Sequence, residues 1–122
     1  NTPDAYIGDL SAFEIVEKTI DQKLDHELHP VERIWLYHPF HHAEDIQQQD
    51  RGLTLLHELE HAAEKVWQPY IRRAIEGWTH HRNIVARFGR FPHRNEVLGR
   101  IDTAGEREFL SKDGESFGQG RK

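Results

Sequence analysis

The sequence contains no cysteine and no methionine, and it has no long apolar run. Without cysteine the chain cannot form disulfides, thiolate metal sites or a thiol nucleophile, and nothing points to secretion. No segment approaches the ~20 apolar residues of a membrane-spanning helix, and no signal peptide is recognisable. We therefore predict a cytoplasmic protein without a membrane partner. Because methionine is missing, residue 1 is not the product of a start codon, and we expect a truncated or processed chain.

The composition indicates a lean core beneath a charged surface. The 122 residues fit one domain, with 36% hydrophobic and 30% charged residues. The formal net charge of −5 favours solubility and argues against general binding to nucleic acid or anionic membranes. Ten histidines are the most unusual feature, because histidine is both a metal ligand and a proton-transfer group.

Apolar residues recur at helical spacing over most of the chain, and no segment has the pattern of a convincing strand. The spacing predicts helices over residues 10–24, 30–37, 43–65, 70–88 and 104–110, with a tight connection at 38–42 and a short helical turn beginning at residue 92. We predict an all-α fold, an antiparallel helical array in which residues 1–110 form one domain, the C-terminal part of a longer one, and 111–122 form a flexible tail.

Single residues mark several helix ends. Thr103 and Glu106 have the spacing of a capping box and so predict the start of the last helix. Gly89 is a natural stop for the long helix before it. Gly52 lies inside the third predicted helix, where it is either a weak point or a position of close packing.

The segment from Arg82 to Arg100 contains five arginines and one acid, although the whole chain is acidic. Guanidinium groups bind planar anions such as carboxylate and phosphate through two hydrogen bonds. We therefore predict an anion-binding turn made of Arg87, Arg90, Arg94 and Asn95. The simpler interpretation is a solvated basic turn that pairs with the protein's own acids.

Histidines in two other segments are candidate site residues. His81 falls among the apolar positions of its helix, where it either makes a structural hydrogen bond or lines a pocket. His38, His41 and His42 precede Glu44 and Asp45, and together they have enough nitrogen and oxygen ligands for a metal but no recognised spacing. The acids of this segment also suit a helix N-terminus.

Residues 57–61 read His-Glu-Leu-Glu-His and fit the zinc-protease helix, in which two histidines bind zinc and a glutamate acts as base. Glu60 places a charge between His57 and His61, His61 is predicted to face solvent, and no third ligand follows. We therefore predict no metal or other cofactor, and we keep a zinc-dependent hydrolase at this helix only as a remote alternative.

Residues 87–100 contain RFGRFPHRN followed by LGR, which resembles the signature of a bacterial family of uncharacterised proteins, domain of unknown function nine-twenty-four. Residues 37–45, YHPFHHAED, are similar to the family's Y-L-P-F-x-H-S-E-D. His81-Arg82, residues 103–110 and residues 6–20 also resemble family patterns. The resemblance implies an all-helical fold similar to tetratricopeptide-repeat folds, and it implies no activity. Ala43 replaces the family's serine, and the family's additional N-terminal helices are absent.

The leading hypothesis is a polar pocket that binds a small anionic ligand between the turn at residues 39–45 and the turn at residues 87–95. Arg87, Arg90 and Arg94 would bind the anion, and Glu44 and Asp45 would orient neighbouring groups. His42, His81 and His93 are the candidates for proton transfer or hydrogen bonding, although the sequence does not decide between an enzyme and a binding protein. The alternative is a helical module that binds another protein.

The first and fourth predicted helices have apolar stripes that need cover, and for this reason we expect a partner. The stripes include Phe13, Ile20, Ile71 and Trp78. Few other elements are available to cover them. We therefore expect missing N-terminal helices, or a second copy of the chain, to cover an apolar surface and to complete the pocket.

Overall fold

The computed structural model describes residues 9–113, and this part of the chain is all-α, as predicted. It contains no strand within residues 9–113. The α-helices in this range are α1 (Asp9–Asp21), α2 (Pro30–Leu36), α3 (His38–His42), α4 (Ile46–Ala62), α5 (Gln68–Phe88) and α6 (Ala104–Asp113), and 3-10 turns cover Leu24–Glu27 and Pro92–Arg94.

The helix bounds differ from the sequence-based expectations at several places. α4 covers Ile46–Ala62 instead of 43–65, and α5 begins at Gln68 instead of 70. α1 ends at Asp21 instead of residue 24, because Lys23 adopts a left-handed conformation (φ 58°) and a separate 3-10 turn follows. Residues 38–42 form a one-turn helix with Pro39 in its first turn, which corrects the expected tight connection. α6 continues to Asp113, so residues 111–113, which were expected in the flexible tail, are helical; residues 114–122 lie outside the described range.

The predicted caps are confirmed. The Glu106 carboxylate accepts from the Thr103 backbone N–H at 2.8 Å, and the Thr103 hydroxyl accepts from the Glu106 N–H at 3.1 Å, which completes the capping box. Gly89 ends α5 with φ 73°, a conformation that favours glycine. Asp45 is a cap that the sequence analysis did not predict, since it expected this helix to begin at residue 43; Asp45 accepts from the Gln47 N–H at 2.8 Å at the start of α4.

α4 and α5 form an antiparallel hairpin. Asp50 pairs with Arg82 at 2.8 Å near one end, and Glu60 pairs with Arg72 at 3.3 Å near the other. Between these pairs Gly52 lies against α3 and α5. A Cβ at Gly52 would come within 2.7 Å of the Phe40 Cβ and 3.2 Å of the Trp78 ring. Gly52 is therefore a position of close packing, which lets α3 approach the hairpin.

Two apolar clusters make up the interior of the described chain. The first core lies between α1, α3, α4 and α5 and buries Val16, Tyr37, Phe40, Leu56, Leu59, Ile71 and Trp78. The second core lies where α5 meets the C-terminal segment and buries Ile84, Val85, Phe91 and Phe109.

The apolar stripes that were expected to need a partner pack inside this chain. Ile71 and Trp78 are buried in the first core, and Phe13 and Ile20 pack against it. Within residues 9–113 the larger apolar side chains that stay exposed are Ile15, Leu24, Trp35, Val66, Tyr70 and Ile101. Cover by further helices or a second copy stays a prediction. No helix between residues 9 and 113 combines the length and apolar character of a membrane span.

Candidate functional site

The two turns that the sequence analysis singled out lie side by side. The Glu44 carboxylate, which follows α3, accepts hydrogen bonds from Arg100 Nη1 at 2.9 Å and Arg100 Nη2 at 3.0 Å. It also accepts from the Phe91 backbone N–H at 2.7 Å. Burial raises the pKa of Glu44, but the Arg100 and Phe91 hydrogen bonds outweigh it and hold this pKa below its usual value. Glu44 thus fixes the end of α3 to the arginine-rich turn.

Arg94 and Asn95 lie inside this junction. Arg94 is 6% exposed, its Nη1 donates to the His42 carbonyl oxygen at 3.0 Å, and its Cζ lies 4.6 Å from the centre of the Phe91 ring. Asn95 is fully buried; its Nδ2 donates to Asp102 at 2.8 Å, and its Oδ1 accepts from Arg100 at 3.0 Å. Asn95 therefore holds the loop before α6, whereas Arg94 binds the last residue of α3.

Arg90 has a different partner from Arg94. Its Nε and Nη2 donate to the two Glu106 oxygens at 2.8 and 2.7 Å, and Nη2 also donates to the Ile101 carbonyl oxygen at 2.8 Å. The hydrogen bonds from Arg90 lower the pKa of Glu106 to about 2. Arg87 lies over the Phe88 ring at 4.6 Å. The structure therefore places Arg87 and Arg90 at the second core and gives Arg90 and Arg94 no shared ligand position.

A group of imidazole rings lies on the other side of Arg94, and we call it the histidine cluster: His38, His41, His42, His81 and His93. His41 and His81 have ring centres 4.1 Å apart. His42 lies 5.1 Å from His41 and 5.3 Å from His38. The fifth ring, His93, is linked to the others through Phe91. The Phe91 ring centre lies 5.5 Å from that of His81 and 5.6 Å from that of His93.

The local sequence explains how the rings meet. Because residues 38–42 form one helical turn, positions 38, 41 and 42 face the same side. The buried Gln49 fixes the end of that turn by donating to the carbonyl oxygens of His41 at 2.7 Å and Ala43 at 2.8 Å. Trp78 stacks on His41 at 4.8 Å, and His81 follows Trp78 by one turn of α5.

Burial keeps the cluster neutral. It lowers the pKa of His41 to about 2, of His81 to about 3, and of His38 and His93 to about 4, and neighbouring imidazoles or Arg94 contribute further. The pKa of His42 is also lowered, by burial and then by Arg94. Each neutral ring presents one N–H donor and one lone pair at neutral pH. The cluster can therefore donate and accept hydrogen bonds or ligate a metal.

The other predicted site residues lie elsewhere. Asp45 is exposed and caps α4. His57 and His61 are exposed on α4, and within residues 9–113 the group of three metal-ligand side chains is His38, His41 and His42.

Comparison with known families agrees with the resemblance of the two turns. Residues 1–114 match the family described as "Bacterial protein of unknown function (DUF924)". The chain belongs to the DUF924 family. A comparison with functionally curated proteins finds no match.

One solved structure has a fold similar to that of this DUF924 chain. It is the protein of unknown function ATU0120 from Agrobacterium tumefaciens, which is 34% identical to this chain with a TM-score of 0.73. The alignment covers 92% of this chain and 57% of the Agrobacterium protein. This DUF924 chain therefore spans little more than half of that protein's length.

Sequence reasoning missed two parts of this DUF924 site. His38 and His41 were grouped with His42, but a tight connection at 38–42 gave no reason for their rings to share one side. The i, i+3, i+4 spacing was the available signal, and it becomes informative only once the segment is helical. Arg100 was counted with the basic segment, but nothing in the sequence connects it with Glu44, which lies 56 positions away.

Proposed function

We propose that this protein binds a small molecule with a carboxylate or phosphate group at Arg94 and the neighbouring rings of the histidine cluster. The observation that carries the proposal is the fixed guanidinium of Arg94, held between the Phe91 ring and the His42 carbonyl oxygen. Burial strengthens its field, because the effective dielectric constant inside a protein is well below that of water.

The charge balance of the site favours an anion. The five imidazoles are neutral for the reason given above, and Glu44 and Arg100 offset each other's charge. Arg94 contributes a positive charge beside these neutral rings. Neutral imidazole N–H groups of His42, His81 and His93 would add directional donors around the bound anion. His42 is the more exposed ring and marks the side from which a ligand would enter.

The test is an NMR titration of the histidine ring signals with inorganic phosphate and with acetate, in buffer that contains a metal chelator. We expect saturable shifts of His42, His81 and His93 and a raised pKa for at least one of these rings, because a bound anion stabilises the imidazolium. His42→Ala and Arg94→Lys should weaken binding, and His57→Ala on exposed α4 is the matched control. Shifts that do not saturate, or that are the same in all variants, would contradict the proposal.

The two alternative functions receive less support. Ile15, Leu24, Trp35 and Ile101 are exposed on different segments, Val66 and Tyr70 are the one exposed pair close in sequence among the described residues, and single exposed apolar side chains are common on monomers. For a zinc hydrolase, His57 and His61 are both exposed, and the three-ligand group found in residues 9–113 does not include them. We therefore make neither of them the proposed function.

A further inference from the structure

Three imidazoles of α3 lie within metal-ligand distance of one another. One ring nitrogen from each of His38, His41 and His42 lies within 4.8 Å of the other two. The Nδ1 atoms of His38 and His41 are 3.4 Å apart. We propose that these three side chains bind one divalent transition-metal ion, Zn²⁺, Ni²⁺ or Cu²⁺, through one nitrogen each.

The measured separation fits a coordination sphere. Bonds of about 2.0–2.1 Å from zinc to imidazole nitrogen, arranged as a tetrahedron, place neighbouring nitrogens roughly 3.3–3.4 Å apart. His38 and His41 already have this spacing, so only His42 has to approach. A hydrogen bond between His38 and His41 would explain their own distance but would not explain the third ring.

The donor set selects the class of ion. Three imidazole nitrogens suit zinc, copper and nickel, whereas calcium and magnesium prefer oxygen ligands. A site with three protein ligands leaves a fourth position for water or another small ligand, as in catalytic rather than structural zinc sites.

The surroundings hold the ligands in place. Gln49 fixes the backbone at His41 through the hydrogen bond described above. His38 lies between the rings of Trp35 at 4.6 Å and Trp78 at 5.6 Å. The His41 Nε2 atom is buried without a hydrogen-bond partner, so stacking on Trp78 and the Nδ1 contact with His38 hold this ring. The fixed backbone and the stacked rings limit the orientations that the ligand imidazoles can adopt.

The inference concerns a different ligand from the proposed function, although His42 belongs to both. The metal does not need Arg94, and the anion does not need His38. Titrating the metal alone, in buffer free of phosphate and carboxylate, tests this inference. Titrating the anion with a chelator present tests the proposed function, so either can fail without the other.

The experiment uses the whole chain, stripped of metal with a chelator and then titrated with Ni²⁺, Cu²⁺ or Co²⁺ at neutral pH. Because Trp35 and Trp78 lie beside the ligands, a paramagnetic ion bound there should quench tryptophan fluorescence, and Co²⁺ should give the visible absorption of a histidine-ligated ion. We expect one ion per chain. His38→Ala/His42→Ala should weaken binding by more than about tenfold, and the matched double variant His57→Ala/His61→Ala should not.

Three results would overturn the inference: no saturable single site in the natural sequence, unchanged binding in His38→Ala/His42→Ala, or equal loss in His57→Ala/His61→Ala. Circular dichroism checks that each variant is helical. Should His38→Ala/His42→Ala not fold, ¹⁵N shifts of the natural chain with Zn²⁺ decide the matter. Large shifts at His38, His41 and His42 would support the site, and shifts confined to other histidines would refute it.

Discussion

Titratable side chains flank both apolar cores, but they are stabilised in different ways. Beside the first core, His38 and His41 are neutral and are held by stacking against Trp35 and Trp78. Beside the second core, Arg90 and Glu106 are charged and are held by two hydrogen bonds to each other. Paired charges stabilise the C-terminal segment and use up their hydrogen-bonding capacity. Neutral rings can exchange hydrogen bonds with a ligand without breaking an ion pair, which is why we propose the histidine cluster as the ligand site.

The largest expected effect is a loss of stability in mild acid. The folded pKa values of His38, His41, His81 and His93 lie below the ordinary 6.5, so their contribution is present above pH 6.5 and is lost as the pH falls. Below 6.5 the unfolded chain binds protons that the folded chain does not, at up to about 1.4 kcal/mol per pH unit for each such histidine. We expect the free energy of unfolding to fall by several kcal/mol between about pH 7 and about pH 5.

Urea denaturation at a series of pH values measures this loss. The Arg90–Glu106 pair should not contribute in that range, because the pKa of Glu106 is lowered to about 2 and its contribution is lost only as the pH falls from about 4.5 toward that value. The same steep loss in His57→Ala/His61→Ala would assign it to the histidine cluster. A flat stability profile between about pH 6.5 and about pH 5 would contradict the neutral burial of these rings.

The second expected effect is on the charged pair. Glu106→Ala removes the partner of Arg90 and the capping carboxylate of α6 together. Losing a buried charged hydrogen bond and a helix cap should lower the free energy of unfolding by roughly 2–4 kcal/mol. Equilibrium unfolding measures the total, and hydrogen exchange should show the largest loss of protection in α6.

Glu58→Ala is the matched control for that substitution. Glu58 is exposed on α4, so its removal should change the free energy of unfolding by less than about 0.5 kcal/mol. Equal effects of the two substitutions would mean that the second core does not depend on its ion pair, and the contrast between the two cores would be lost.

Periodic and local signals were enough to predict the class of the fold. The stripes of α4 and α5, the Thr103–Glu106 cap and the Gly89 stop all depend on residues within a few positions of each other, and all of them are present in the structure. α1 ends early, at Asp21, because Lys23 is left-handed. This end was not predictable, because nothing in a lysine side chain favours a left-handed backbone.

The site was predictable only in part, because its residues come from distant segments. The sequence indicated that the turns around His42 and Arg94 were unusual, and the structure joins them through the Arg94–His42 hydrogen bond across 52 positions. Which arginine would meet which acid depended on packing. Arg90 and Arg100 offer the same chemistry, yet one pairs with Glu106 and the other with Glu44.

The smallest expected effect separates close packing from helix propensity at two glycines of the α4–α5 hairpin. Gly52→Ala adds a methyl group 2.7 Å from Phe40 Cβ and 3.2 Å from the Trp78 ring, so the first core must shift and the free energy of unfolding should fall by about 1–3 kcal/mol. Gly77→Ala on α5 meets nothing within 4 Å, and it should raise the free energy of unfolding by about 0.5–1 kcal/mol through helix propensity. Thermal and urea unfolding of both variants measures the pair. Because Phe40 and Trp78 flank the histidine cluster, Gly52→Ala should also shift the ring signals of His38 and His41, whereas Gly77→Ala should leave them in place. Stabilisation by both substitutions would show that α3 does not approach the hairpin as closely as its contacts with Gly52 require.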